Sequence, residues 1–250
     1  EYSKESMRGK SELTQKTKNP ADQTSSGLER SYITMWSYGL GETWTLLVPN
    51  TKGGASMPLA ASKTAMEHAN ANYSPIYQAF TQYWGEQPGT SGPVYVGAFV
   101  LMLFILGLFI VRGPMKWCLL AATILSILLS WGKNFMGFTD FFLDYVPMYD
   151  KFRTVASILV IAEFTIPLLA MLALKKLVED PACLEGKSER WHFPRKHYLT
   201  LSFALTGGVA LLFWLMPDLF FGDYLSSADQ SYMRQYVEAG YIPQQLSADI

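Results

Sequence analysis

Little in this chain is equipped for metal, thiol or nucleotide chemistry. It holds two cysteines and three histidines in 250 residues. There is no Cys-x-x-Cys, and His68, His192 and His197 lack metal-ligand spacing, so they read as isolated surface side chains. A net charge of −1 with no clustered basic surface argues against a nucleic-acid partner. A Gly-rich phosphate loop, a Ser/His/Asp order and an internal repeat are all missing. Asn72-Tyr73-Ser74 matches a glycosylation sequon, but Pro75 follows it and it carries no weight. The first residue is Glu1, and no basic segment, apolar segment and cleavage site follow in the order of a secretory leader. Residues 242–250 (IPQQLSADI) stop where a helix would be starting after Pro243. A fragment is therefore expected.

What is abundant is apolar sequence, and it is clustered. Mean hydropathy over the whole chain is only mildly positive because long polar stretches dilute four runs at residues 94–111, 117–131, 154–174 and 199–216. The first, VYVGAFVLMLFILGLFIV, passes about eighteen residues without a charge, enough as a helix to approach the hydrocarbon thickness of a bilayer. The pattern predicts an all-α membrane protein of about four transmembrane helices, with external loops that carry short interfacial helices. Residues 117–131 are short for a span but have a tryptophan at each end, in the manner of interfacial anchors, and tilt or local thinning accommodates the shortfall. Gly207-Gly208 is expected to permit close helix approach.

Orientation follows from the basic residues of the short links. Arg112 and Lys116 follow the first run, and Lys175, Lys176, Lys187, Arg190, Arg195 and Lys196 follow the third, against Lys133, Lys151 and Arg153 between the second and third. Eight against three assigns the first and third links to the cytoplasm. Residues 1–92, 132–153 and 217–250 then lie outside, with residues 93–216 forming the bundle. Cys118 falls in an apolar run and Cys183 in a charged linker set near the other leaflet's solvent, so no disulfide between them is expected.

In the external region, residues 1–29 carry scattered charges and are expected to be a mobile loop. Residues 32–49 (YITMWSYGLGETWTLLVP) are too apolar for a free loop and too broken by Gly39 and Gly41 to span, which predicts short helices at the membrane surface. Tyr73, Tyr77 and Phe80 recur at helical spacing and predict an amphipathic helix ahead of Tyr83 and Trp84.

Candidate chemistry concentrates in a few acids and cations. Residues 132–153 (GKNFMGFTDFFLDYVPMYDKFR) set charges among aromatics, as a re-entrant or surface helix would do at headgroup depth. Arg153 suits a phosphate through its bidentate fork and Lys151 suits it as a point charge, while snorkelling anchors for the third run are the plainer reading of both. Glu163 lies inside the third run, where a carboxylate is expensive. It is either a relay or coupling group or a packing acid near the Pro167 kink. Glu42 and Glu86 are acids within aromatic clusters, a pairing that suits deprotonation of a sugar hydroxyl beside rings that stack on a pyranose, although loop acids are mostly solvated.

An external stretch with Met35 to Pro49 and Gly53-Gly54, then Tyr83-Trp84-Gly85, Pro88 and Tyr95-Val96-Gly97 at the start of a span, then Val146-Pro147 through Phe152-Arg153, resembles the bacterial YfhO-like membrane proteins, particularly their Bacteroidetes forms. The similarity covers most of residues 27–174 and is weaker beyond. It implies a multi-pass inner-membrane protein of the glycosyltransferase C type, which moves a sugar from a polyprenyl-phosphate donor to an acceptor on the outer face. Its partners would then be membrane lipid and the polyprenyl-phosphate-linked sugar. No redox cofactor is implied, and a divalent cation is compatible with that chemistry. In that superfamily the catalytic acid usually lies in a first external loop after a first span, and this chain is expected to begin downstream of it. Glu42 and Glu86 are the remaining, weaker catalytic candidates. The resemblance carries Tyr83, Trp84, Phe152 and Arg153 over as parts of the cavity wall. The competing readings are a transporter or flippase using Glu163 and a non-catalytic scaffold.

Overall fold

The computed structural model describes residues 22–24, 27–69, 74–92, 94–186, 194–221 and 227–240. Helices dominate them, and the described residues contain no β-strand, only the isolated bridges Thr51 to Gly53 and Pro58 to Thr81. The helices of eight or more residues are α1 (Ala98–Ile110), α2 (Met115–Ser130), α3 (Met136–Tyr145), α4 (Val160–Glu179, entered through a 3-10 turn at Val155–Leu159), α5 (Lys196–Leu215) and α6 (Ser227–Glu238).

Two of the four expected spans are long and apolar enough to cross a membrane unaided. Residues 155–179 form 25 helical residues, about 38 Å, and α5 forms 20, about 30 Å. A third candidate exists only if α2 and the following Gly132–Tyr145 segment count as one unit, and that unit is bent by 106°. The first run departs from expectation, because only 13 of its residues are helical, about 20 Å. Gly97 sits at φ +99°, where the chain turns before α1 can begin, and Val111 is already extended.

α1 and α2 pack on α4. Phe104, Leu119, Leu159, Ala162, Ile166 and Leu169 form the main buried cluster, joined by Tyr38 from the segment ahead of α1. Small residues bring the backbones together: a Cβ on Gly107 would lie 3.0 Å from Leu169 Cγ and 3.1 Å from its carbonyl oxygen. Thr123 and Thr165 hydroxyls meet at 2.7 Å between α2 and α4. α5 is largely unburied, with 17% of its apolar window inside the structure. Gly207 and Gly208 fall in a π-helical turn at Ala204–Gly208 within α5, where a Cβ on Gly207 would press on the Phe203 ring.

The links divide between two ends of the bundle. At one end Ile110, Ala173, Leu177, Cys183, Leu184 and Tyr198 pack together, and Phe109 stacks on Tyr198 at 4.9 Å. Arg112 and Lys116, Lys175 and Lys176, and Arg195 and Lys196 lie at or beside the helix ends that adjoin this cluster. Cys118, at the start of α2, and Cys183 lie toward this same end of the bundle, and both are free thiols. At the other end Tyr38 N–H donates to the Ser130 carbonyl, and Trp44 meets Phe213 edge to face at 5.1 Å.

The described residues ahead of α1 fold onto that second end. Residues 33–38 lie between the end of α2 and the start of the 155–179 helix, with Thr154 N–H on the Ile33 carbonyl and Ala156 N–H on the Trp36 carbonyl. Short helices at Arg30–Ile33 and Gly41–Leu46 occur where residues 32–49 predicted them. The second aromatic helix spans Ser74–Ala79 and buries Tyr77, with Phe80 buried beyond its end. Tyr73, the sequon at Asn72 and Tyr73, His192, Lys187, Arg190, residues 1–21 and the 242–250 segment lie outside the described residues.

Candidate functional site

The local sequence Gly39-Leu40-Gly41-Glu42 turns into a 3-10 helix and drives Glu42 inward. The acid was expected to be solvated, but it is only 2% exposed. The turn aims it inward, and Tyr83 and Gly85 close over it. Glu42 Oε2 accepts the Gly39 N–H at 2.5 Å, Oε1 accepts the Tyr83 hydroxyl, and the Glu86 N–H also donates to the carboxylate. Two glycines make the room. A Cβ on Gly85 would stand 2.0 Å from Glu42 Oε1 and 2.3 Å from Tyr83 Oη, and one on Gly39 would be 3.0 Å from Glu42 Oε2.

Burial raises the Glu42 pKa above its ordinary 4.5, and its three donors oppose that rise. Tyr83, buried beside the carboxylate, is held well above the usual phenol range. Tyr38 is pushed up to about 12, first by burial and then, against its bond to Thr45, by the Glu42 charge. Both phenols stay protonated at neutral pH and can donate. The Tyr83 hydroxyl in turn accepts the Gln87 N–H at 3.0 Å.

This hub forms one wall of an open groove of about 550 Å³ lined by Ser56, Phe80, Tyr83, Glu86, Lys133, Asp229, Tyr232 and Tyr236, among others. Lys133 comes from the bend after α2, and its Nζ donates to the Glu86 carbonyl at 3.2 Å. The bend is set by Gly132 at φ +43°, whose missing Cβ would sit 2.1 Å from Ser37 Oγ. The backbone N–H of Lys133 donates to that same Ser37 hydroxyl. α6 supplies the opposite wall: Met233 packs on Phe80 and Ile76, which turns Asp229, Tyr232 and Tyr236 to the groove.

The sequence candidates divide into three places. Tyr83 and Glu86 line the groove, and Glu42 stands behind Tyr83. Trp84 instead lies under the Lys52 ammonium at 4.0 Å and is not a lining residue. Arg153 is exposed and donates to the Tyr32 hydroxyl at 2.8 Å, away from the Lys52 contact of Trp84. Lys151 is half-buried in the short turn at Tyr149–Lys151. Glu163 is exposed on α4 and lines neither the groove nor the cavity around Arg30. That second cavity, an open depression of about 450 Å³, is lined by Arg30, which reaches Asp140 and Asp144 at 2.5 Å each.

Sequence reasoning missed Lys133 as a site residue, and missed Asp229, Tyr232 and Tyr236 entirely. Their spacing of i, i+3 and i+7 was the available signal, since it puts all three on one helix face. Among the described residues, no three His, Cys, Asp or Glu side chains converge to hold a metal. Chemically the groove offers carboxylates, one ammonium and aromatic faces with hydroxyls, a set suited to a polyhydroxylated ligand carrying negative charge. No family model, curated protein or solved structure matches this chain.

Proposed function

We propose that this chain is a multi-pass bacterial inner-membrane protein that holds a polyprenyl-phosphate-linked sugar in the external groove for transfer to an acceptor, as its resemblance to the YfhO-like, glycosyltransferase C type proteins implies. The observation that carries this reading is the groove itself. It pairs Lys133 with Glu86, Asp229 and the tyrosines at the end of the bundle away from the lysine- and arginine-rich turns. Lys133 is the countercharge for the lipid phosphate, and Tyr232 and Tyr236 are the faces on which a pyranose stacks. Glu86, the exposed acid, takes the proton of the acceptor hydroxyl as its oxygen bonds to the sugar's anomeric carbon and the phosphate oxygen leaves. Glu42 positions Tyr83 and touches no substrate.

The test is binding and turnover of a polyprenyl-phosphate-linked sugar by the full chain in lipid nanodiscs. Lys133→Ala and Tyr232→Ala each weaken binding about tenfold, equivalent to about 1.4 kcal/mol. Glu86→Gln keeps binding and loses transfer. Parental affinity in both binding variants, or a parental turnover rate in Glu86→Gln, overturns the assignment.

A further inference from the structure

The segment from α3 to Arg153 has two unlike faces. Inward, Thr139 and Leu143 are buried, Leu143 packing with Leu28, Ile33 and Val155. Along one flank Asp140 and Asp144, four residues apart, are both taken up by Arg30. What remains outward is apolar and aromatic. Phe141 is 55% exposed, Tyr145 75%, Met148 66% and Phe152 65%. Phe138, Phe142 and Tyr149 continue this surface as a chain of ring contacts at 5.1 Å and 5.7 Å, which ties the following hairpin to the helix. Met148 adopts a left-handed backbone at φ +67° with its side chain out, a conformation that costs a non-glycine residue energy.

We infer that this face lies on the lipid of the outer leaflet, at the boundary of headgroups and acyl chains, with Arg153 as its contact to lipid phosphate. The inference rests on the membrane reading above and does not need the sugar-transfer reading. Three observations select lipid over another protein. α3 follows α2 through the 3-10 turn at Gly132–Phe135, and the bend of 106° turns it nearly perpendicular to α2, the orientation of a helix lying along a membrane surface and not of one crossing it. Asp140 and Asp144 are both paired with Arg30, which offsets their charge toward anionic headgroups although the two side chains stay partly exposed on the flank. Arg153, exposed beside Phe152 and held by the Tyr32 hydroxyl, places a cation at the edge of an aromatic surface, the composition favoured at that depth.

The experiment uses single reporter cysteines in the full chain after Cys118→Ala and Cys183→Ala. Phe141→Cys, Tyr145→Cys and, as the reference within α4, Met171→Cys are labelled with an environment-sensitive fluorophore. Each protein is reconstituted in phosphatidylcholine vesicles carrying a spin label either near the headgroup or deep in the chain. The labels at 141 and 145 shift to the blue and are quenched more by the shallow probe than the deep one, and resist aqueous iodide, while the label at 171 favours the deep probe. Iodide quenching at 141 and 145 with a deep signal at 171 overturns this inference and leaves the membrane reading standing. Iodide quenching at all three removes both. Deep-probe preference at 141 and 145 also overturns it, because the segment would then penetrate the leaflet.

Discussion

Changing Tyr83 to Phe deletes one hydroxyl from the hub and leaves the ring in place. That hydroxyl is one of three donors to a carboxylate that is 2% exposed. A hydrogen bond to a charged group contributes about 1.5–3 kcal/mol, and because the Gly39 and Glu86 N–H groups still donate, a loss of about 2 kcal/mol is expected. In a Glu42→Gln background the same change removes only a neutral bond and costs about 1 kcal/mol. The assay is reversible unfolding in mixed micelles followed by tryptophan fluorescence, read as a double-mutant cycle. The pH dependence supplies an independent check. Glu42 titrates above its ordinary 4.5 when folded, so the folded state holds an extra proton between the two values. Its contribution to stability is complete below the ordinary carboxylate range and is lost as pH rises through the folded value. Since the Tyr83 bond lowers the folded value, Tyr83→Phe extends that decline to higher pH, and Glu42→Gln flattens it. Additivity of the two substitutions within about 0.5 kcal/mol, with unchanged pH curves, refutes the account of Glu42 as a buried acid held by Tyr83.

Three further substitutions probe the frame around the site. Arg30→Ala removes the fork to Asp140 and Asp144, whose side chains are 41% and 44% exposed, so the expected cost is only about 1 kcal/mol. Hydrogen exchange should rise across α3, and unchanged exchange there would remove Arg30 as its anchor. Gly107→Val overpacks the contact between α1 and α4 against Leu169 and should destabilise by about 1–3 kcal/mol, so a neutral result in thermal unfolding would contradict the packing. Gly132→Ala meets Ser37 Oγ at 2.1 Å with φ at +43° and should lower stability by about 2–3 kcal/mol and reduce sugar-lipid binding by displacing Lys133, whereas wild-type binding would mean that the bend does not position the groove.

The helices were legible because apolar runs of that length have few alternatives, and residues 154–174 and 199–216 each appear within a helix that starts and ends within a few residues of the expectation, apart from the end of α4, which continues to Glu179. The first run misled because hydropathy counts Val94, Val96 and Val111 without seeing the positive φ at Gly97 that keeps the preceding residues out of α1. Phe141 and its neighbours were readable as a surface helix from their composition, but the sharp turn after α2 depends on Gly132 fitting against Ser37, a contact between residues 95 positions apart. Glu42 was the largest misreading. An acid between glycines and aromatics reads as a solvated turn, and only the approach of Tyr83, 41 residues downstream, and of nearby Gly85 makes a buried socket for it. The groove was illegible for the same reason, since its walls come from Glu86, Lys133 and α6.

The buried acid and the helix ends solve one problem together. A helix leaves its last carbonyls and first N–H groups without partners, and at the boundary of an apolar bundle water is a poor substitute. Here the segment ahead of α1 supplies them. Ser130 at the end of α2 receives the Tyr38 N–H, and the Thr154 and Ala156 N–H groups at the start of the next helix donate to Ile33 and Trp36. The Trp131 indole donates to Thr43 at 2.9 Å and the Asn134 amide to the Tyr38 carbonyl at 3.0 Å. Residues 33–43 therefore cannot lift away without exposing both helix ends, and Glu42 lies within that segment. The groove inherits its rigidity from this arrangement, because Lys133 follows the capped end of α2 while Tyr83 is pinned by the acid. A loop that caps two helices and carries a buried carboxylate is thus part of the bundle in energetic terms, although its sequence reads as an external segment.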